Sequence, residues 1–588
     1  MINENGATNN KAKIITKLYP FGFWQDATVL GHIAGLLCLS NLLFPFMITT
    51  VSIALMGSVG QAELNASTLA FAVYGLVGKA MTAGLNFGCD TLLPQYFSGK
   101  KSGMGIVLQR GVLITCFGSL LSWSLMLNAK YALRWIEHDS HVITLTNTFL
   151  QLYLLVVPLD AVISLLRMYL ASCGKTRPIV IIFAIGNVIH IISLYICLYY
   201  LHIGLQAAPI SAILSYTTIL LAFVAYIRSS TLYEETWHPV TRACLREWDT
   251  YLKLAVPGAL SIFIEYWSVG LSVLFVVNLG PDSLSAQVVV QQTIWFILHI
   301  MTSISDAGNI LIGRQLGVNQ TQRAIQVKNV VYTLAVAALS ITTCFIVLGH
   351  DWIPIIYSVP KSAQSLAQNA LLLAAVVNIF EGLYVVQTGI IRACGMQKFS
   401  VIILFIGFYV FGLPLAYVFT YVIHMNIYGF WLGIIIAELI MNTVLFILVR
   451  FFNWEAVSQT AMKRFQRDDT MAMSEDSALL SNRLLKQSAD ENLQLLPRRC
   501  TEEISEEGVA DDASQSSSHP AISQTSVFEL IKVEQSHTRI PPDPIGSNTE
   551  FYRILQEFDG SDEILVTELH WIPTVSDPIG SRRTRNMD

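Results

Sequence analysis

The sequence predicts an all-α polytopic membrane protein, with twelve transmembrane helices in two six-helix lobes. Only 13% of its 588 residues are charged and 53% are hydrophobic, whereas a soluble domain carries about a quarter charged residues. An apolar run of about 20 residues is long enough to cross a bilayer. Twelve such runs occur, at 29–56, 66–93, 104–128, 144–170, 178–201, 206–228, 251–279, 285–312, 328–349, 367–391, 399–423 and 428–451.

Lysine and arginine in the short links set the predicted orientation, because positively charged loops stay in the cytoplasm. Seventeen lie in the N-terminal arm and in alternate links, against three, Lys130, Arg134 and Lys361, in the other links. We therefore predict a multi-pass protein with both termini in the cytoplasm. The plasma membrane is the favoured location, with an endosomal or vesicular membrane as the alternative.

The second half of the apolar region repeats features of the first half. Four residues recur after 220 positions and a Cys-Gly pair recurs after 221. The matches are Gly60 with Gly280, Leu64 with Leu284, Ala66 with Ala286, Gln95 with Gln315, and Cys173-Gly174 with Cys394-Gly395. They predict an N-terminal lobe at 27–228 and a C-terminal lobe at 251–454, joined by a cytoplasmic linker at 229–250. Transporters with parallel repeats hold their substrate near the membrane midplane between the lobes.

Both ends of the chain are polar. Residues 1–26 form a cytoplasmic arm, and residues 455–588 form an acidic, Ser-rich segment with 13 Lys and Arg against 24 Asp and Glu. The scarcity of apolar clusters predicts that this cytoplasmic tail is mostly disordered. Tyr552-x-x-Leu555 and Glu475-x-x-x-Leu479-Leu480 resemble sorting signals. Sorting adaptors are therefore candidate partners of the tail.

Two carboxylates lie at mid-membrane depth. Glu265 is fourteen residues beyond the start of the run at 251–279, and Glu381 has a similar depth in the run at 367–391. A charge inside a bilayer is costly, so such acids face the protein interior and generally serve function. The alternative is that each acid only bonds a neighbouring helix, but two acids at one depth favour a shared site. The aromatic candidates for contact with a cationic ligand are Tyr266, Trp267, Trp295 and Tyr384.

Further charges lie inside the apolar runs. Lys79 and Asp160 are near mid-span in two helices of the N-terminal lobe, and we predict that they pair, because either charge alone would be expensive. The alternative is that each reaches water separately. Glu438 is a candidate further acid of the site. Asp306 is expected to be a solvated or helix-capping charge near the cytoplasmic end.

Several ordered motifs resemble animal multidrug and toxin extrusion (MATE) transporters. They are Cys89-Asp90-Thr91-Leu92 with Gln95, Lys253-Leu254-Ala255-Val256-Pro257 before Glu265, Phe380-Glu381 with Arg392, and Gly412-Leu413-Pro414. The resemblance covers about residues 27–454. It implies an antiporter that exports organic cations in exchange for protons, with Glu265 and Glu381 serving substrate and proton binding. Animal members usually have further acids where this chain has Gly270 and Gln292, so Gln292 is a candidate polar contact of the site.

The minimal chemistry of such an exchange is competition for one carboxylate. A low-dielectric site disfavours the ionised form of a carboxyl group, so a proton and an organic cation would compete for Glu265 or Glu381. Facing outward, the carboxylate takes up a proton and releases the cation. Facing inward, it loses the proton and binds the next cation.

Other functions are disfavoured by what the sequence lacks. It contains no P-loop of the form GxxxxGK[ST] and no evident cluster of nucleophile, base or metal ligands, so we predict no enzyme activity, no cofactor, no metal site and no nucleic-acid partner. Two alternatives stay open: Na⁺-coupled exchange, and a flippase or exporter of a lipid-linked or anionic substrate, which would prefer a basic cavity. The predicted partners are small organic cations, protons or Na⁺, and the lipid bilayer.

Overall fold

Helices are the regular structure of the described part of the chain. The computed structural model describes residues 22–135, 139–237, 242–357 and 359–464, and these ranges contain no β-strand. The two sorting-type motifs lie outside the described residues. A helix at 454–464 includes the first ten residues of the predicted tail, 455–464.

Twelve spans, named α1 to α12, follow each other along the described residues. Eleven are long and apolar enough to cross a membrane, and α4 becomes the twelfth when its two pieces, which enclose a 48° bend, are taken together. The bounds are α1 Phe23–Met56, α2 Gln61–Gly99, α3 Lys101–Leu127, α4 Ser140–Tyr153 and Val156–Ser172, α5 Thr176–Tyr199, α6 Gly204–Ser229, α7 Trp248–Val277, α8 Pro281–Gly317, α9 Thr321–Gly349, α10 Lys361–Cys394, α11 Gln397–Val422 and α12 Asn426–Phe451. The predicted fold class is confirmed.

The even-numbered helices end on one side of the bundle, where the linker between the lobes also lies. We call this side the link end, and define it by the last residues of α2, α4, α6, α8 and α10. These residues are Gly99, Ser172, Ser229, Gly317 and Cys394. Short helices outside the spans are Ala129–Leu133, Leu232–Thr236, Arg242–Leu245 and Ile353–Ile356.

Small residues bring α2 and α7 together across the two lobes. A Cβ added to Gly84 of α2 would lie 2.2 Å from the Cα of Ala259 in α7, and one added to Gly88 would lie 2.6 Å from the ring of Tyr251. Small residues permit such close backbone approach between membrane helices, where van der Waals packing drives association. The Tyr251 hydroxyl also donates a hydrogen bond to the carbonyl of Leu85 at 3.0 Å. This contact holds the two lobes beside one another at the site described below.

The middle of α2 departs from regular α-helix. Residues Tyr74–Lys79 form a π-helical turn, which continues as α-helix from Ala80. A π-helical turn adds one residue to the helical repeat and often marks a functional position. Here it precedes the residues of α2 that face the other lobe, and its first residue, Tyr74, donates a hydrogen bond to Asp160 in the N-terminal lobe.

Candidate functional site

A cavity of about 390 Å³ lies between the lobes. Its walls come from α1, α2 and α4 of the N-terminal lobe and from α7, α8, α10 and α11 of the C-terminal lobe. Charged groups from both lobes line it, together with Phe44, Phe87 and Leu298. A pocket with an apolar body and a few convergent charged groups is typical of a small-molecule site.

The C-terminal lobe contributes three carboxyl groups, which we call the acidic cluster. Glu265 of α7 and Glu381 of α10 line the cavity. Glu438 of α12 lies behind them, only 3% exposed, and its charge interacts with those of Glu381 and Glu265. Among the described residues, no Lys or Arg nitrogen lies within 4.0 Å of any of the three. When these groups are ionised, their negative charge has no contacting cation, so a ligand or a proton can neutralise it.

Aromatic side chains stand beside the acidic cluster. Tyr266, Tyr384 and Trp295 line the cavity. Trp267 does not: it follows Glu265 by two residues, which turns it to the other side of the helix, and it is 54% exposed. Gln292 is also exposed and outside the lining, because it lies almost one helical turn beyond Trp295, past the edge of the cavity.

The N-terminal lobe contributes Lys79 and Asp160 to the same cavity. Asp160 is 2% exposed, and its Oδ2 accepts a hydrogen bond of 2.8 Å from the Tyr74 hydroxyl, while Oδ1 has no hydrogen-bond partner in the described residues. The charges of Lys79 and Asp160 interact, but no contact within 4.0 Å joins them in the described structure. Their pairing therefore stays a prediction.

Four further charges form a chain across the lobes on the link-end side of the cavity, which we call the cross-lobe network. Arg392 of α10 contacts Asp90 of α2 at 3.4 Å and Asp306 of α8 at 3.3 Å. Asp306 in turn contacts Arg167 of α4 at 3.3 Å. The contacts Arg392–Asp90 and Arg167–Asp306 each join one lobe to the other. The expectation that Asp306 is solvated or caps a helix is wrong, because it is 3% exposed and holds two arginines.

Neutral hydrogen bonds continue this inter-lobe contact towards the link end. The Thr91 hydroxyl donates to the carbonyl of Arg392 at 2.8 Å, and the Gln95 amide donates to the carbonyl of Ala393 at 2.9 Å. Arg464, in the helix at 454–464, donates to the side-chain oxygen of Gln95 at 3.2 Å. The lobes are thus joined by polar contacts on the link-end side of the cavity.

Sequence reasoning overlooked the roles of Asp90, Arg167 and Asp306 in joining the lobes. One available signal was the presence of a charge inside an apolar run, since Arg167 lies within the run at 144–170 and Asp306 within that at 285–312. Such charges are expected to be paired inside the protein. The identity of each partner could not be read from the sequence, because the contacts join residues 139 and 302 positions apart.

The fold and the cavity together define a class. Twelve spans in two six-helix lobes, with a charged cavity shared by both lobes, form the architecture of a membrane transporter.

The comparisons with known proteins assign the family. The MatE family profile matches residues 37–196 and 257–418, and the chain belongs to this family of multidrug and toxin extrusion transporters. Multidrug and toxin extrusion protein 1 of Mus musculus is 29% identical over 442 residues, which cover 75% of this chain and 78% of the relative. The Homo sapiens protein of the same name is 27% identical over 440 residues, covering 75% and 77%.

Solved structures of the family have the same fold. The eukaryotic MATE transporter AtDTX14 matches with a TM-score of 0.72 at 19% identity, over 75% of this chain and 99% of that one. The Vibrio cholerae MATE transporter VcmN in the bent form matches with a TM-score of 0.65 at 14% identity, over 76% and 99%.

Proposed function

We propose that this transporter exports organic cations in exchange for protons by alternating access. The observation that carries the proposal is the acidic cluster, three carboxyl groups with no basic partner within 4.0 Å among the described residues. Aromatic rings stand beside it in the cavity. A carboxylate next to aromatic faces suits a cation with an apolar body, because both attract it and the rings also cover its carbon surface.

Proton coupling follows from competition for the acidic cluster. Two neighbouring carboxylates in a low-dielectric site repel one another, so a proton on one of them stabilises the pair. An organic cation supplies the same neutralisation. The cluster therefore holds either protons or substrate. Transport results when it releases the cation and takes up a proton on the outer side, and releases the proton and binds the next cation on the inner side.

The inter-lobe contacts support a proposal for the state of the transporter. The positive-inside pattern supports a cytoplasmic link end, and the cross-lobe network joins the lobes on that side of the cavity. In this interpretation the structure is closed towards the cytoplasm.

We place the protein in the plasma membrane, with an endosomal or vesicular membrane as the alternative, and with sorting adaptors as partners of the tail.

The names of the relatives support export as the direction of transport, since they describe extrusion of drugs and toxins.

Na⁺-coupled exchange is the second candidate for the coupling ion, because a carboxylate cluster can also bind Na⁺. A flippase or exporter of lipid-linked or anionic substrates fits the cavity less well, because its C-terminal half is acidic rather than basic. Transport is favoured over an enzymatic role because the relatives are named as extrusion proteins and transporters.

The test is uptake of a fluorescent organic cation into proteoliposomes under an imposed pH gradient. We expect Glu265→Gln and Glu381→Gln each to abolish gradient-driven uptake, because the amide neither binds a proton in this range nor attracts the cation. Glu438→Gln is expected to weaken uptake less, since this residue lies behind the lining. Glu234→Gln, in the exposed linker helix, is the matched control and should behave as the wild type.

Two outcomes would contradict the proposal. Uptake that follows a Na⁺ gradient at equal pH, and ignores a proton gradient, would assign the coupling to Na⁺. Uptake that survives both Glu265→Gln and Glu381→Gln would remove the acidic cluster from the mechanism.

A further inference from the structure

The link-end termini of α4 and α10 are equivalent positions of the two repeats. Each helix is followed by a glycine with positive φ, 77° at Gly174 and 72° at Gly395, and these glycines lie 221 residues apart. The same two hydrogen bonds close both termini: the glycine amide donates to the carbonyl three residues back, and the next amide donates to the carbonyl five residues back. Such a motif leaves another carbonyl of the last turn for a side-chain donor.

Each of these helix termini receives its donor from the other lobe. Arg314 of α8 donates to the carbonyl of Ser172, the last residue of α4, from Nη2 at 2.6 Å and from Nε at 3.2 Å. Gln95 of α2 donates to the carbonyl of Ala393, the repeat counterpart of Ser172. A cation at a helix C-terminus is also stabilised by the helix dipole, and the neutral amide of Gln95 lacks this contribution. The two contacts therefore match in position and differ in charge.

A positive charge at the α10 terminus comes from a third element, the helix at 454–464, which we call the tail helix. The Nη2 atom of its Arg464 lies 3.2 Å from the position that a Cβ on Gly395 would occupy. The Nη2 atom of Arg314 lies at the same distance, 3.2 Å, from the corresponding position on Gly174. Both helix termini therefore have a guanidinium group at the same place, supplied by α8 in one case and by the tail helix in the other.

The tail helix contacts both lobes. Ser458 is 0% exposed, and its hydroxyl donates to the carbonyl of Leu316, near the end of α8 in the C-terminal lobe, at 3.3 Å. Arg464 donates to the side-chain oxygen of Gln95 in the N-terminal lobe at 3.2 Å. The site on which the tail helix docks is therefore complete only while the lobes are in contact at the link end.

We propose that the tail helix is a latch of the link end, which docks when the lobes are together and whose release favours their separation. Docking and closure stabilise one another, so each must change the equilibrium of the other by the same factor. A partner that binds the released tail helix would therefore shift the transporter towards the state that is open at the link end. This inference rests on the alternating access of the proposed function, but not on its substrate or its coupling ion.

The experiment measures two distances between spin labels in the full chain, reconstituted into liposomes without substrate. The pair Lys175→Cys and Lys398→Cys reports the separation of the lobes at the link end. The pair Lys398→Cys and Gln459→Cys reports whether the tail helix is docked on the C-terminal lobe, and movement of the lobes alone leaves this distance unchanged. All three side chains are exposed, and the reactive native cysteines are removed.

One variant releases the tail helix by charge. Ser458→Asp places a carboxylate against the carbonyl of Leu316, at the negative end of the α8 dipole. It should lengthen both distances and raise the ratio of open to closed molecules about tenfold, the factor for losing one hydrogen bond from a charged donor. Thr460→Asp is the matched control, because it adds the same charge to an exposed position of the same helix, and it should leave both distances at their wild-type values. Arg464→Ala makes the same test without burying a charge.

A second variant acts on the lobes without touching the tail helix. Asp306→Asn weakens the cross-lobe network, and if docking requires closed lobes it must also lengthen the distance that reports the tail helix. This reciprocal effect is the readout that a merely structural role of the tail helix would not produce, since a helix that only stabilises the C-terminal lobe would stay docked when the lobes part.

Each outcome decides the inference. Changes in both distances together, in Ser458→Asp and in Asp306→Asn, support it. A released tail helix with the lobes at their wild-type separation would overturn it, and so would open lobes with a docked tail helix. Wild-type values of both distances in Ser458→Asp and in Arg464→Ala would overturn it as well. Failure of gradient-driven cation uptake would contradict the proposed function instead, and would leave these distances unaffected.

Discussion

The cross-lobe network should hold the link end closed, and Asp306→Asn is the perturbation that tests this. Asp306 bonds Arg167 across the lobes and Arg392 within its own lobe, both at 3.3 Å. Asparagine has nearly the same shape but no charge. We expect the substitution to weaken the Arg167 contact and to increase the fraction of molecules that are open at the link end.

The magnitude follows from the contact that crosses the lobes. A hydrogen bond to a charged group contributes about 1.5–3 kcal/mol net. Because the 3.3 Å between Arg167 and Asp306 is long for such a pair, we take about 2 kcal/mol as the stabilisation of the closed state that Asp306→Asn removes. Since about 1.4 kcal/mol corresponds to a factor of ten, the ratio of open to closed molecules should rise about 30-fold. If the open state is populated at about 1% in the wild type, a common value for a minor state, it would rise to about a quarter.

Distance measurement between spin labels can detect such a change. The labels are placed at Lys175→Cys and Lys398→Cys, exposed positions at the link end on different lobes, in a background without reactive native cysteines. Glu235→Gln is the control, because it breaks an ion pair with Lys101 that lies outside the inter-lobe contact. An Asp306→Asn distance distribution that coincides with that of the control would refute the assignment of the network as a link-end lock.

Two other substitutions test the same closure without changing the network. Gly317→Ala would place a Cβ 2.2 Å from the carbonyl oxygen of Gln95. We expect this clash to destabilise the closed protein by about 1–3 kcal/mol, which lowers the unfolding temperature and lengthens the distance between the labels at the link end. The control Gly35→Ala has open space around the new Cβ and should change neither quantity. Arg464→Ala removes the hydrogen bond to Gln95. It should raise the open-to-closed ratio about tenfold, for a loss of about 1.5 kcal/mol, the lower end of the range for a charged donor. An unchanged distance distribution would show that the helix at 454–464 does not stabilise closure.

The sequence was sufficient to predict the helices because membrane spans are a local property. The length of an apolar run and the charges at its ends decide whether it crosses a bilayer, and no distant residue is needed. The depth of Glu265 and Glu381 within their runs is equally local, and the two side chains line one cavity. The bend in α4 was not anticipated, since the sequence reads as one apolar run at 144–170.

The partners of the buried charges could not be predicted in the same way. A position along a helix gives a depth, but it does not give the rotation of that helix or the helix that packs against it. Trp267 shows the consequence for rotation, because it was chosen for its proximity to Glu265 in sequence and lies on the exposed side. Asp306 shows the consequence for packing. Its position near the end of its apolar run predicted contact with solvent, whereas in the structure it contacts Arg167 of α4 and Arg392 of α10.

The separation of paired and unpaired charges suggests how one cavity combines closure with ligand binding. A buried ion pair gains little net free energy over its hydrated ions, because desolvation offsets most of the attraction. The cross-lobe network can therefore fix the geometry of the closed link end without making opening prohibitive, since its charges regain water when the lobes part. An apolar contact of the same size would lack this compensation. The acidic cluster is left outside the network, so its carboxyl groups remain for ligands and protons, and loading the cavity need not break the contacts that keep it closed.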